Sequence, residues 1–372
     1  MTKYQMVKQA IKSKILNGTY LPNEKISSEN SLMKEYGVSR HTIRMAIGEL
    51  VNEGWLYREQ GAGTFCSDRL QTEAAPQKQS KTIAIITTYI SNYIFPSIIR
   101  GAESYLSDQG YQVSIFSTNN DIESEKRILE TILSQHVDGI IIEPTKSAYS
   151  NPNINYYLNL ERTNIPYIMI NAFYDELEPL CLVVDDEKGG FLQTEHLIKQ
   201  GHKKIIGFFK TDDAQGVKRM KGYIKAHRAN QITIDPNYIV TYQSEEKETK
   251  PLAELERLLT NEQSIATGIV CYNDELAIKL LDVLREKNLH VPNDISMVSF
   301  DDSFLAVVSE VKLTTIRHPQ NQMGEDAAKM MVELVEEKHA NKKKDIVLNS
   351  VTYEPELIIR QSTKHQGVPE TN

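Results

Sequence analysis

Beyond residue 81 the sequence keeps one rhythm. TIAIIT, YQVSIFST, DGIIIEP, IPYIMIN, KKIIGFF, TGIVCYND and ISMVSFDD are short apolar runs, mostly separated by amphipathic segments of helix length. Continuous apolar strands alternating with helices are the mark of parallel sheets covered on both faces. The alternation therefore predicts an α/β architecture. About 285 residues is large for one such sheet, so two lobes with a cleft between them are expected.

The first 68 residues follow a different grammar. Tyr4, Val7, Ile11 and Ile15 fall on one face of a helix predicted over residues 4–17 and ended by Gly18. A second short helix is expected from Ser28, where Glu29 suits the positive end, to Gly37. A third follows Ser39 as N-cap, with Val38 placed to staple onto Ile43. Ile43, Ala46, Ile47, Leu50 and Val51 recur at helical spacing, and Gly54 supplies the stop. WLYREQGAGTFC then reads as a β-hairpin whose tip carries Arg58, Gln60 and glycines. Three helices and a hairpin predict a winged helix-turn-helix.

The third helix crowds Arg40, His41, Thr42 and Arg44 into its first turn and a half, where a helix prefers acids. A partner that supplies the missing negative charge resolves the conflict, and DNA is such a partner. Charge placement agrees. Residues 1–70 hold 10 Lys and Arg against 7 Asp and Glu, in a chain of net charge −8. A small basic head on an acidic body confines nucleic-acid contact to the N-terminus. Residues 69–80 are polar, contain Pro76 and lack periodicity, so they read as a linker. NKKKD at 341–345 reads as a solvated turn.

Several classes are disfavoured. Cys66, Cys181 and Cys271 are too widely spaced for a metal site and fit buried thiols in a reducing compartment. There is no apolar signal core and no run approaching 18 apolar residues, so a cytoplasmic protein is expected. GxSxG, GxxxxGK[ST], HExxH and CxxC are all missing, so no catalytic residue, metal or cofactor is assigned.

YGVSRHTIRMAIGELVNEGWLYREQGAGTF closely resembles the GntR-type winged-helix head, over roughly residues 2–68. That resemblance implies a third helix in the major groove and a wing in the adjacent minor groove. It places Arg40, His41, Thr42 and Arg44 at the groove, Glu29 at the start of the second helix, and Gln60, Gly61 and Gly63 at the wing tip. Lys3 and Tyr4 fall where backbone phosphates are met. Arginine can pair bidentately with guanine, and glycines let backbone approach phosphate.

Residues 81–363 are similar instead to the LacI/GalR effector domain, itself like periplasmic sugar-binding proteins. The carriers are FPSIIRGAESYLSDQGY, DDEKGGFLQTEHLIKQGHKKIIGFF, RMKGY, CYNDELAIKLL, VPNDISMVSFDD and LTTIRHP. Together with TTYISNYIFPSIIRG, EPTKSA and GVKRMKG, this head-and-body combination resembles the arabinose-responsive repressors of Gram-positive bacteria. The expected organisation is a head at 1–68, a linker at 69–80, a two-lobed sugar-binding and dimerising part at 81–363 and a tail at 364–372. The resemblance implies operator DNA, a homodimer and an L-arabinose effector that releases the operator.

Ligands of open α/β sheets sit beyond the carboxyl ends of strands. The polar residues there are Tyr89, Glu143, Asn171, Asn273, Asp274 and Asp301, with Arg219 on the RMKG segment and His318 closing the cleft. The family resemblance assigns Arg219, Asn273 and Asp301 to the ligand. Carboxylates, amides and a guanidinium grip sugar hydroxyls, while an aromatic covers the ring. The competing reading for Asp274 and Asp302 is a strand-end cap bonded to backbone. Three other functions are weighed: a transport component, a hydrolase or isomerase with an accessory head, and a regulator of another sugar or a purine. A purine is disfavoured because the cleft is acid-rich and offers few candidate stacking aromatics.

Overall fold

The computed structural model describes residues 1–68, 81–91, 93–135, 137–260, 266–340 and 348–366. The linker at 69–80, the turn at 341–345 and tail residues 367–372 lie outside the described residues.

The head comprises α1 (Lys3–Leu16), α2 (Glu29–Tyr36), α3 (Arg40–Asn52), β1 (Leu56–Glu59) and β2 (Gly63–Cys66). Ser39 caps α3 by accepting from the Thr42 amide at 3.2 Å. Gly37 ends α2 at φ 61°, a left-handed turn that suits a residue without Cβ. Val7, Ile11, Leu32, Ile43, Leu50 and Leu56 form its core, each at most 1% exposed. Lys25 forms a single antiparallel bridge to Phe65 beside the hairpin, a pairing the sequence pattern did not show.

The first lobe runs β3 (Thr82–Thr87), α4 (Phe95–Asp108), β4 (Gln112–Ser117), α5 (Ile122–Ser134), β5 (Gly139–Ile142), α6 (Ile154–Arg162), β6 (Tyr167–Ile170) and β7 (Cys181–Val184). The second runs α7 (Asp186–Lys199), β8 (Ile205–Lys210), α8 (Ala214–Ala229), β9 (Ile239–Tyr242), α9 (Lys250–Leu259), β10 (Gly268–Val270), α10 (Asp274–Glu286), β11 (Ser296–Asp301), α11 (Phe304–Val308) and β12 (Thr314–Arg317). The chain then returns to the first lobe through α12 (Gln320–Ala340) and β13 (Val351–Tyr353), and ends in the second with β14 (Glu356–Ile358).

Each lobe carries a six-stranded sheet, ordered β13-β7-β6-β5-β3-β4 and β14-β12-β11-β10-β8-β9. The first is parallel throughout; in the second only β14 runs antiparallel. The seven apolar runs all contain strands, four of which (β5, β6, β10 and β11) are buried at every residue. Three crossings, near residues 184–186, 317–320 and 353–356, join the lobes.

One close approach positions the cleft. A Cβ on Gly222 of α8 would sit 2.1 Å from the Glu187 carbonyl of α7, and one on Gly190 would sit 2.2 Å from the Arg219 carbonyl. Only glycines permit this helix contact, and it brings Arg219 onto Asp186.

Candidate ligand cleft and nucleic-acid interface

The cleft opens between the carboxyl ends of the two sheets. Tyr89, Glu143, Asn171, Arg219, Asn273, Asp301 and His318 all line it, from both lobes. Arg219, 4% exposed, is the hub. Its Nε donates to Asp186 at 2.8 Å, one terminal nitrogen donates to the Tyr272 carbonyl at 2.7 Å, and the other lies 3.5 Å from Asp301. Its guanidinium carbon lies 3.5 Å from the Phe300 ring centre. Burial pushes the Asp186 carboxyl up to about 6 against the pull of Arg219, and raises Asp301 as well.

A second chain of bonds crosses the first lobe. Glu143 accepts from the Thr88 amide at 2.9 Å and hydroxyl at 2.5 Å, and from the Asn171 side-chain amide at 2.9 Å. Burial raises its pKa against those donors. Because Asn171 spends its NH2 on Glu143, its oxygen accepts from His318 Nε2 at 3.0 Å. Burial pushes His318 down to about 3, so the ring is neutral and Nδ1 is left as a bare acceptor. That atom, like Gln215 Oε1, is buried without a protein partner and belongs to a cleft-lining residue. Buried polar atoms are normally bonded, so both point to a ligand or water that completes them.

Asp274 is a correction. It is fully buried, and its carboxylate accepts from Thr315 at 2.8 Å, from the Ser303 amide and hydroxyl at 2.8 and 2.9 Å, and from Ser299. It does not line the cleft. It joins the start of α10 to β11 and β12, while Asn273 caps α10 through its side-chain oxygen and lines the cleft. Asp302 is likewise structural, bonded to Arg360 at 2.6 Å.

The expectation of few aromatics is also overturned. Tyr89, Tyr93, Phe95, Tyr242 and Tyr272 all line the cleft, so scarcity of stacking surface does not argue against a ring ligand. Residue-by-residue reading missed Tyr93, Asp186, Lys210, Asp213 and Gln215. Tyr93 donates to Asp301 at 2.6 Å and bridges the lobes. Lys210 lies 2.9 Å from Asp213, and burial, which opposes its charge, is outweighed by Asp213 and Asp212. Tyr93, Asn171 and Asp301 have φ of 65°, 65° and 100°. Such backbone is costly for residues with side chains and clusters at functional sites.

On the head, Lys3, Arg40, His41, Arg44, Gln60 and Gly61 are exposed, with Tyr4, Glu29, Thr42 and Gly63 partly so. Glu29 organises the cluster. Arg44 Nε lies 3.1 Å from both of its oxygens, and Arg40 binds Asn30 at 2.6 Å. Asn30 had no signal in the helix pattern. The wing turns at Gly61 and Gly63, with φ of 78° and 130°.

Among the described residues, no group of three or more His, Cys, Asp or Glu could hold a metal ion. None of the helices is long and apolar enough to cross a membrane, again among described residues. All three cysteines are free and buried.

Residues 3–66 match the family described as bacterial regulatory proteins, gntR family, and residues 194–363 match the periplasmic binding protein-like domain. A protein of Halalkalibacterium halodurans named arabinose metabolism transcriptional repressor is 61% identical over 97% of this chain and 96% of its own. One of the same name from Geobacillus stearothermophilus is 50% identical over 98% of each. The solved structure of the transcription regulator CcpA of Lactococcus lactis is similar with a TM-score of 0.66 at 27% identity, covering 76% of this chain and 99% of that one.

Proposed function

The chain belongs to the family of arabinose metabolism transcriptional repressors, and from that premise we propose that L-arabinose bound in the cleft releases the head from operator DNA. It is a DNA-binding repressor with a sugar-effector part, not an enzyme. The observation that carries the effector reading is the pair of orphaned acceptors, His318 Nδ1 and Gln215 Oε1, in a cleft that also presents Arg219, Asn273 and an aromatic wall. A neutral polyol with several hydroxyls and one apolar face satisfies such a lining.

In this reading the functional units are residues 1–68 and 81–363. Arg40, His41, Thr42 and Arg44 enter the major groove; Gln60, Gly61 and Gly63 follow the minor groove; Lys3 and Tyr4 meet phosphate. The protein acts in the cytoplasm, as a homodimer that holds two heads at half-site spacing. Exposed Phe304, Val307 and Val308 on α11, at 75, 42 and 52%, support a self-association face.

Calorimetric titration with L-arabinose, its epimers and a purine tests the effector, with duplexes from promoters of arabinose-utilisation genes as the DNA. L-arabinose should bind most tightly and weaken DNA binding roughly 5- to 150-fold. Tighter binding of another compound, or equal DNA affinity with and without sugar, would overturn the proposal.

A further inference from the structure

The head does not hang free of the effector part. Ser13 of α1 donates to Glu130 of α5 at 2.6 Å, and Gln9 of α1 reaches the other oxygen of that carboxylate at 3.3 Å. Tyr156 of α6 donates to Glu130 at 2.7 Å. Asn159 of α6 donates to the carbonyl of Leu16, one of the carbonyls that the end of a helix leaves without an internal partner. Glu130, Tyr156 and Leu16 are 8, 3 and 3% exposed. A carboxylate this buried is held by directed bonds from both sides of the contact, which makes the seam specific in register.

The same two helices also meet the mouth of the cleft. Asn120, just before α5, donates to Ser244 of the second lobe at 2.7 Å. In the loop between β5 and α6, Lys146 pairs with Glu245 at 2.5 Å, and Ser147 accepts from the Ala214 amide at 2.9 Å. These bonds latch the lobes on the side where no chain crosses. Glu125 of α5, fully buried, ties the pair together by accepting from Asn151 at 2.8 Å and Tyr157 at 2.7 Å. From the start of α5 at Ile122, two residues after Asn120, to Glu130 is about 12 Å along one helix. The latch and the head contact are therefore opposite ends of a single rigid unit.

We propose that α5 and α6 form a docking face for the chain's own head, occupied when the latch is closed, so that sugar binding stores the head on the first lobe. The inference rests on the sugar-released repressor reading above. Docking leaves Arg40, His41 and Arg44 exposed, so the face does not cover the reading surface; it fixes where that surface points. In a dimer, two heads fixed by their own lobes stand at a spacing set by the closed cleft. A linker alone would leave them free to find the half-sites.

The test uses the full chain, with L-arabinose and the promoter duplex that the wild type binds. Glu130→Ala removes the acceptor from the lobe side, and Ser13→Ala removes the donor from the head side without disturbing α5. Each should leave sugar affinity and sugar-free DNA affinity within about twofold, while the sugar-induced loss of DNA affinity shrinks about fivefold or more. Glu130→Gln, which keeps an acceptor oxygen, should recover part of it. In wild type, L-arabinose should increase hydrogen-exchange protection along residues 9–16 and 128–134, and in Ser13→Ala it should not. Full release by sugar in Ser13→Ala, unchanged protection in wild type, or weaker DNA binding by both variants without sugar would each overturn the docking proposal. A wild type that binds sugar but never releases DNA would instead overturn the reading beneath it, and docking with it.

Discussion

Arg44 and Arg219 each lie on a carboxylate, at 3.1 Å on Glu29 and 2.8 Å on Asp186, yet the two pairs live in different solvents. On the head the arginine side chain is 61% exposed and its partner 35%. In the cleft the figures are 5% and 3%. An exposed pair is screened and contributes little to stability, so Glu29 can aim Arg44 and give it up to DNA at small cost. A buried pair cannot be opened cheaply, because each charge left alone keeps its desolvation penalty. The head is built to exchange partners; the cleft is built to keep its own and add a ligand to them.

That contrast predicts its largest effect at Arg219. Arg219→Ala strands Asp186 and Asp301, both nearly fully buried. Loss of one partner of a buried pair typically costs about 3–5 kcal/mol. The variant should lose detectable L-arabinose binding in calorimetry and also unfold at clearly lower urea, rather than being a fully stable protein that merely ignores sugar. If it lost sugar binding with an unchanged urea midpoint, Arg219 would be a free ligand group and not the hub of the buried network.

Arg44→Ala should do the opposite. It should leave the unfolding free energy from urea titration within about 0.5 kcal/mol, as exposed substitutions usually do. At the cognate duplex it should cost about 1–3 kcal/mol, and much less on random DNA. Equal weakening on both duplexes in a gel-shift series would reduce Arg44 to a phosphate contact.

How much of this was legible in the sequence follows the same division. On the head the residues proposed to face DNA lie mostly within one helix start and one turn, so local grammar singles them out: Ser39 caps, Gly37 and Gly54 stop, and the charges left over are the ones proposed to read DNA. In the cleft the apolar runs located β3–β6, β8, β10 and β11, and strand ends located five lining residues, while Arg219 and His318 came from their own segments RMKG and LTTIRHP. Tyr93 and Asp186 escaped, since nothing within their own segments requires them to meet Asp301 and Arg219. That meeting depends on the crossings between lobes and on the glycine contact of α7 with α8. Asp274 misled for a related reason. A carboxylate at a strand end looks the same whether it faces a ligand or caps the next strand, and only Ser299, Ser303 and Thr315 folded around it decide.

The smallest expected effect is a cancellation, and it belongs to the cleft. Burial pushes Asp186 and Asp274 up to about 6 and about 7, so above about pH 4 the folded chain holds protons that the unfolded chain has released. Their contribution is therefore complete at low pH and is lost as pH rises through about 6 to 7. Burial pushes His318 down to about 3, so below about 6.5 the unfolded chain binds a proton that the folded one refuses. That contribution is present above about 6.5 and is lost as pH falls. Between about pH 5 and 6.5 the two slopes oppose each other. Each fully developed proton is worth about 1.4 kcal/mol per pH unit, so the part of the wild-type urea midpoint that comes from these groups should be flatter than either slope alone. His318→Gln removes one side of the balance and keeps a polar side chain beside Asn171. Its midpoint should therefore fall more steeply, relative to wild type, as pH rises across that window. Parallel profiles for the two proteins would mean that His318 titrates alike in the folded and unfolded chains. The imidazole would then be solvated, and the cleft around it would stand open to water rather than holding a bare Nδ1 in wait for a hydroxyl.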